Sequence, residues 1–471
     1  MQPLSPQGPD HSKYLSRDTI AALATATGGA VAILRISGPA AARALESVTA
    51  FRWDELEAGR MAHTKICSAD GTVIDDALIV RFAAPQSFTG EDVLEIQHHG
   101  NPLIAERLFS EFRPLGIRQA LPGEFSFRAV RNGKMSLSQA EAVADLIAAG
   151  NEQAMGLALE KLSGAQAEQL VRTAEALRQL VANAEAGIDF SDQEIEELSL
   201  KRLVAGLKSP LHDLEDLAAS FQRGRPLQEG IRTSLLGLPN AGKSSFFNRL
   251  LGEDRSIVSS IAGTTRDVIR EQLNLKADGM SLSFRLEDTA GLRTSGDETE
   301  QQGVARTLKS AREAELILFF LDPTGDSGET AAPLRDIRLD HVLGVLTKCD
   351  LASAQQINKA RQWGEKFFSS VQWIETSAKT GHGVHAVAEA MVKMASRWVA
   401  RQPREILLTR HEQWTSVCEA CEHLRRAQDA LGLDLFASDL RQALHALSGL
   451  IGETAPDDIL GRIFSRFCIG K

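Results

Sequence analysis

Cysteine is scarce and odd in number: five in 471 residues, at Cys67, Cys349, Cys418, Cys421 and Cys468. An odd handful in so long a chain excludes a disulfide framework and fits a reducing, cytosolic compartment. No apolar run approaches the ~20 residues that a membrane-spanning helix needs. The longest candidate, Glu315–Asp322, has strand length. The N-terminus MQPLSPQGPDHSKYLSRD lacks the apolar core of a secretory signal. These features predict a cytoplasmic protein that does not enter a membrane. Glycine (37) and proline (15) are too few for a collagen-like or low-complexity chain. A basic excess is missing as well. Lys and Arg number 52 against 62 Asp and Glu, a formal net charge of −10. That argues against non-specific coating of nucleic acid, but not against RNA work through a local patch or a partner.

What is present is a chain of changing texture, whose length suggests about three domains. Residues 1–18 are polar. From Thr19 short apolar runs bounded by turn residues read as strands: Ala30–Gly38, Asp75–Phe82 and Asp92–His99. Ala40–Ala50 and Leu103–Phe112 read as helices between them, so residues 1–133 form an α+β block. From Ser138 to about Ser220, Ala, Leu, Glu and Gln recur at helical spacing, and 134–229 read as a bundle of long helices. The acidic stretch Asp189–Glu197 interrupts it and reads as a solvated helix start. From Gly230 buried-looking strands alternate with helices, which implies a mostly parallel, doubly wound sheet over 230–394. Helical texture returns over 395–471. The α/β domain is thus inserted into a discontinuous helical domain, and the fold class is multidomain α/β and α.

The chemistry concentrates in the inserted domain. Gly237-Leu-Pro-Asn-Ala-Gly-Lys-Ser244 matches GxxxxGK[ST] between a strand and a helix, the context of a phosphate-binding loop. Backbone amides of Asn240, Ala241, Gly242, Lys243, Ser244 and Ser245 would cradle phosphates, with the helix N-terminus adding positive potential. Lys243 would reach the β and γ phosphates, and the Ser244 hydroxyl would hold Mg2+. Asp288-Thr289-Ala290-Gly291 ends a later strand as a DxxG element: Asp288 would reach the metal through water, and the Gly291 amide would sense the γ phosphate. Gly263-Thr-Thr-Arg-Asp267 lies between them, with Thr265 placed to complete the magnesium shell. Thr347-Lys348-Cys-Asp350 resembles the guanine motif NKxD with Thr for Asn. Asp350 can accept from guanine N1–H and its amine, which adenine does not offer; the Thr predicts a weaker contact on the base. Ser377-Ala378-Lys379 matches the last guanine-side motif. Four motifs in this order make GTP the nucleotide. Leu292 stands where many GTPases place a water-orienting Gln, so catalysis needs another water-positioner.

GLPNAGKSS, GTTRD and DTAGLR together resemble GTPases of the Era/TrmE group. Arg35–Ala41, Ser87–Gly100, Arg118–Ile147 and the terminal Gly461–Lys471, which closes on CIGK, extend the resemblance over nearly the whole chain, to the MnmE (TrmE) family of tRNA-modification GTPases. The resemblance implies an N-terminal tetrahydrofolate-binding and dimerisation domain, a Ras-like GTPase domain inserted in the helical domain, and a homodimer. It also implies a FAD-containing partner, MnmG, in a heterotetramer or larger complex that acts on tRNA. FAD would enter only through that partner. The pair would add an aminomethyl or carboxymethylaminomethyl group to carbon 5 of the wobble uridine of certain tRNAs, using a 5,10-methylene- or 5-formyl-tetrahydrofolate. By position, Arg35, Glu95, Lys134 and Lys471 match folate-contacting residues. A carboxylate such as Glu95 suits a pterin, and Arg35 or Lys134 suits a glutamate tail.

The resemblance further implies a K+ site at Asn240, Ser259, Ile261 and Thr264. The stretch Ser259-Ser260-Ile261-Ala262-Gly263-Thr264 would close over the ion and replace an arginine finger. Asn240 read from its residue type alone is a loop-shaping residue. Glu300 matches the family's catalytic glutamate and would hold the attacking water. Cys468 matches the family's C-terminal cysteine by the folate pocket, and is either a reactive thiolate or a small apolar packer. Cys418-Glu-Ala-Cys421 lies on a helical pattern with no second ligand pair and reads as structural; His98-His99 point to opposite strand faces and read as structural or as pocket wall. Arg401, Arg404, Arg410, Arg425 and Arg426 are the candidates for contact with tRNA. Two other readings compete: an Era-like RNA-binding GTPase switch in ribosome assembly, and a structural dimer whose GTPase gates partner binding.

Overall fold

Alternating apolar residues in Val31–Ser37 and Val93–His99 build the centre of a first sheet. The computed structural model describes residues 14, 16–189, 193–238, 240–253, 272–287, 311–325, 341–368, 371–399, 405–451 and 470. They fall into two compact units, Met1–Ala144 with Leu162–Glu175 and Leu444–Lys471, and Asp145–Lys161 with Ala176–Ala443. Helical segments from both sides of the inserted domain contribute to each unit.

In the first unit β1 (Ile20–Leu23), β2 (Val31–Ser37), β3 (Ala62–Cys67), β4 (Val73–Phe82), β5 (Val93–His99) and β6 (Arg118–Gln119) form one sheet in the order β3-β4-β5-β2-β1-β6. All pairings are antiparallel except β1 with β6. One face carries Ala21, Leu34, Ile36, Ile79, Leu94 and Ile96 and is covered by helices Ala41–Val48 and Pro102–Phe112 through Leu45, Leu108 and Phe112. Successive strand residues point to opposite faces. The other face therefore presents Ala22, Arg35, Glu95 and Val80 in a row across β1, β2, β5 and β4. Two elements had no sequence signal. Strand β3 is a half-exposed edge strand, AHTKIC, with Ile66 as its only buried side chain; edge strands need no apolar alternation. Helix Glu124–Arg131 buries Glu124 and Arg128 beside Phe125, Phe127 and Ala129, so its buried positions follow no apolar stripe. At the far end of the chain, Gly470 packs on the close of β1: a Cβ there would lie 2.0 Å from the Leu23 carbonyl oxygen.

In the second unit β7 (Ile231–Gly237), β8 (Gln272–Ala277), β9 (Met280–Glu287), β10 (Leu316–Leu321), β11 (Val342–Leu346) and β12 (Gln372–Glu375) form a sheet in the order β12-β11-β10-β7-β9-β8. Every pairing is parallel except the β8–β9 hairpin. The central strands β10 and β11 read as unbroken apolar runs because both faces are covered. Leu235, Leu318, Phe320, Leu343 and Val345 pack on helices Lys243–Glu253 and Val384–Val399. Leu236, Ile317, Phe319, Val342 and Leu346 pack on helix Ala354–Phe367. This is the doubly wound, Ras-like arrangement expected of the inserted domain. Leu157, Leu227 and Leu407 from flanking helical segments join the first of these cores.

Candidate nucleotide and folate sites

All the phosphate- and guanine-side segments that the structure describes leave the carboxyl ends of parallel strands, where doubly wound sheets bind ligands. The phosphate loop follows β7 and opens helix Lys243–Glu253. Gly237 begins the turn at φ 147°, and a Cβ there would lie 2.5 Å from the Phe320 carbonyl oxygen. Only glycine permits both that torsion and that approach to β10. Asn240 is exposed and left-handed at φ 62°, a region in which Asn is among the few tolerated side-chain-bearing residues. The loop-shaping reading of Asn240 thus has a backbone basis, whatever its side chain binds. Lys243 folds back over its own loop, with Nζ donating to the carbonyls of Gly237 at 2.7 Å and Leu238 at 2.9 Å. Burial holds its ammonium below the ordinary lysine pKa.

Thr347 follows β11. Its side chain is buried. Oγ1 donates to the Ala241 carbonyl of the phosphate loop at 2.8 Å, with the Leu321 carbonyl at 3.3 Å. The hydroxyl pins the phosphate loop to the guanine-side loop. Lys348, at φ 52°, pairs through Nζ with Asp322 Oδ2 at 2.7 Å. Burial would raise the Asp322 pKa, but hydrogen bonds from Lys348 and Thr324 outweigh it and hold the carboxyl low. The Cys349 amide donates to the Thr376 carbonyl at 3.0 Å, which joins this loop to the segment carrying Ser377, Ala378 and Lys379. Ser377 is buried and organises its turn by accepting from the Thr380 amide at 3.2 Å. Asp350 and Lys379 stand exposed. Replacing Thr347 with Val keeps the shape and removes the clamp. Nucleotide affinity is expected to fall about tenfold, from one buried carbonyl left unpaired. Fluorescent GDP titration measures it, and unchanged affinity would show that the clamp is idle.

The first unit carries the second constellation. Arg35 and Glu95 are direct cross-strand partners on β2 and β5, joined Nε to Oε1 at 2.7 Å. The Arg35 guanidinium lies 5.6 Å from the Phe88 ring centre and 5.8 Å from that of Phe125. A half-buried acid–base pair thus stands with its guanidinium near two aromatic rings, on the sheet face opposite the helix-covered core. That donor and acceptor set, with flat apolar walls, fits a planar heterocycle that bears hydrogen-bonding edges. Lys134 donates from Nζ to the Pro85 carbonyl at 2.9 Å, on the loop that carries Phe88.

Behind these rings is a charged network that sequence reasoning missed. Arg128, wholly buried, reaches Asp18 Oδ1 at 2.9 Å, Glu124 Oε1 at 3.0 Å and Glu91 Oε2 at 3.1 Å. Arg118 reaches Asp18 at 2.7 Å and Glu124 at 2.6 Å. Its members are spread from residue 18 to residue 128, so no local pattern announces them.

The family described as "GTP-binding protein TrmE N-terminus" matches residues 19–134, and that described as "MnmE helical domain" matches residues 137–468. Three relatives each called tRNA modification GTPase MnmE are 38% identical to this chain. That of Azoarcus sp. (strain BH72) aligns over 96% of this chain and 98% of its own length. That of Acinetobacter baylyi aligns over 96% of each, and that of Symbiobacterium thermophilum over 97% and 100%. The chain belongs to the MnmE family of tRNA modification GTPases.

Several expected MnmE site residues lie outside the described residues: Ser259, Ser260, Ile261, Ala262, Gly263, Thr264, Thr265, Asp288, Thr289, Ala290, Gly291, Glu300, Cys468 and Lys471. Ser244 and Ser245 lie in the first turn of the helix that follows the phosphate loop. Of the arginines considered for tRNA, Arg401 and Arg404 are likewise outside. Arg410 pairs with Asp145 at 2.7 Å, Arg425 with Glu215 at 2.7 Å and Arg426 with Asp439 at 3.8 Å. Their charges are compensated within the chain, which weakens the case for a free basic patch there. Cys418 and Cys421 are free thiols on helix His411–Gln428. Burial pushes Cys421 up to about 12, far from thiolate chemistry at neutral pH. His98 is buried, whereas His99 is exposed and bonds Asp75 at 2.8 Å, so the two side chains serve different faces. No helix among the described residues is long and apolar enough to cross a membrane.

Proposed function

We propose that the protein uses potassium-dependent GTP hydrolysis to drive addition of an aminomethyl-type group to carbon 5 of the wobble uridine of certain tRNAs. It does so as a homodimer with the FAD-containing partner MnmG, taking the one-carbon unit from a tetrahydrofolate derivative. The observation that carries the folate part is the Arg35–Glu95 pair with Phe88 and Phe125 beside its guanidinium. Glu95 offers a carboxylate to a pterin's donor edge, and Lys134 offers a cation to a glutamate tail. GTP hydrolysis rests on the phosphate loop, its Lys243, and the clamp from Thr347. Lys243 is placed to exchange two loop carbonyls for phosphate oxygens. Ser244 would hold Mg2+ and Asn240 would contribute to a K+ site; bound there, the cations supply positive charge where the γ phosphate leaves.

Glu300 is assigned to the attacking water because Leu292 has no hydrogen-bonding group. Glu300→Ala is expected to bind GTP normally and to release phosphate about a hundredfold more slowly. Unchanged turnover would remove the assignment. The whole reading is tested by nucleoside mass spectrometry of tRNA from a strain lacking the gene. Loss of carbon-5 aminomethyl-type uridines is expected. Intact modification would point instead to an Era-like switch in ribosome assembly.

A further inference from the structure

The β8–β9 hairpin occupies a telling place in the sequence. β8 begins shortly after Gly263–Asp267, and β9 ends immediately before Asp288. Its two faces are used differently. Leu273, Leu275, Leu282 and Phe284 point into the core of the doubly wound domain. Asn274 and Ser283, cross-strand partners in register, point the other way.

That outward face is met by the residues that open helix Glu152–Leu162. Gly150 lies close enough to Asn274 that a Cβ would sit 3.3 Å from its Nδ2. Asn151 Nδ2 donates to Ser283 Oγ at 2.5 Å, and Ser283 in turn donates to Asn274 Oδ1. Glu152 pairs with Lys276 at 3.8 Å on the exposed rim. Asn151 has a second task. Its Oδ1 accepts from the Ala154 amide at 2.9 Å and so caps the helix. One side chain thus caps the helix and binds the hairpin with its two different ends.

The rest of that helix is held as a strut. Ala154, Leu157, Ala158 and Lys161 form its buried face, and Leu157 belongs to the same core as β8 and β9. At its far end Lys161 pairs with Asp145 at 3.5 Å and donates to Thr409 Oγ1, while Arg410 binds the same Asp145. The strut therefore has a polar attachment at each end. Asp145 sits on helix Leu137–Ala148, which starts three residues after Lys134 in the chain.

We propose that Asn151 is a positioning residue: through its bond to Ser283 it passes nucleotide-dependent movement of the β8–β9 hairpin to helix Glu152–Leu162. The proposal rests on the GTPase reading above, and adds a route and a residue to it. The hairpin is held by the pairing of β9 with β7 and by its apolar face, so its outward polar face is where a neighbouring element can take up its movement. Bonded to the helix cap, it moves with the strut or strains the bond.

The test is hydrogen–deuterium exchange on the full chain, comparing GDP with a non-hydrolysable GTP analogue, because coupling needs evidence beyond proximity. In the unaltered protein, amides of the strut are expected to exchange differently in the two states. Asn151→Ser keeps a capping oxygen but is too short to reach Ser283. It is expected to cut that difference about fivefold, the worth of one hydrogen bond, with phosphate-loop protection unchanged. Ser283→Ala, which leaves the cap untouched, is expected to do the same. A strut indifferent to nucleotide in the unaltered protein, or fully responsive in both variants, overturns the proposal. Failure of the phosphate loop to gain protection from either nucleotide would instead overturn the GTPase reading.

Discussion

Replacing Lys243 with Ala is expected to abolish most GTP turnover while leaving the fold intact. The side chain is not a structural keystone. Its Nζ satisfies two carbonyls of an exposed turn, those of Gly237 and Leu238, which water can satisfy instead. What is lost is a preplaced cation at the head of helix Lys243–Glu253, where backbone amides and the helix dipole already favour phosphate. Burial has lowered its pKa from the ordinary lysine value, so the site gains when an anion arrives to neutralise the charge. A donor of this kind, aimed at developing negative charge, is worth about a hundred- to a thousandfold in rate. Phosphate release at saturating GTP measures the loss, and circular dichroism confirms the fold. Turnover within threefold of the unaltered protein would mean that Lys243 does not touch the phosphates.

The second large effect concerns stability. Arg128→Met is expected to destabilise the first unit by about 3–5 kcal/mol, the usual cost of removing one partner from a buried ion network. Arg128 has no exposed surface and contacts three carboxylates, of which Glu124 is as deeply buried as itself. Without it, among the described residues only Arg118 is seen to pair with Asp18 and Glu124. Methionine fills the volume, so the loss reflects uncompensated charge rather than a cavity. The first thermal transition should fall by roughly 10 °C. Neutralising one orphaned carboxylate with a second change, Glu124→Gln, should restore part of it. The effect reaches the proposed folate site as well, because Phe125, which flanks Arg35, follows Glu124 in the same helix. A melt unchanged by Arg128→Met would show that water replaces the guanidinium without penalty.

Local chemistry was legible where one short segment carries it whole. The phosphate loop is eight consecutive residues between a strand and a helix, and TKCD and SAK are each a single turn. Their residues are dictated by backbone torsion and by ligand atoms within a few ångströms, so the sequence alone placed them. The doubly wound sheet was legible for a similar reason, since strands covered on both faces must be apolar throughout. Strand β3 was not, because an edge strand can be polar.

The sequence by itself thus determined that the chain binds a guanine nucleotide in an inserted α/β domain, and which family it resembles. Tertiary structure alone decided four things. Arg35 faces Glu95 because β2 and β5 pair in one register, and a slip of one residue would put the two side chains on opposite faces. Thr347 reaches the phosphate loop because β11 lies two strands from β7, with its loop end beside Ala241. Asn151 meets Ser283, and Arg128 meets Asp18, across more than a hundred residues of chain. Such contacts leave no periodic trace, because burying a polar group requires a partner but does not specify where in the chain that partner lies.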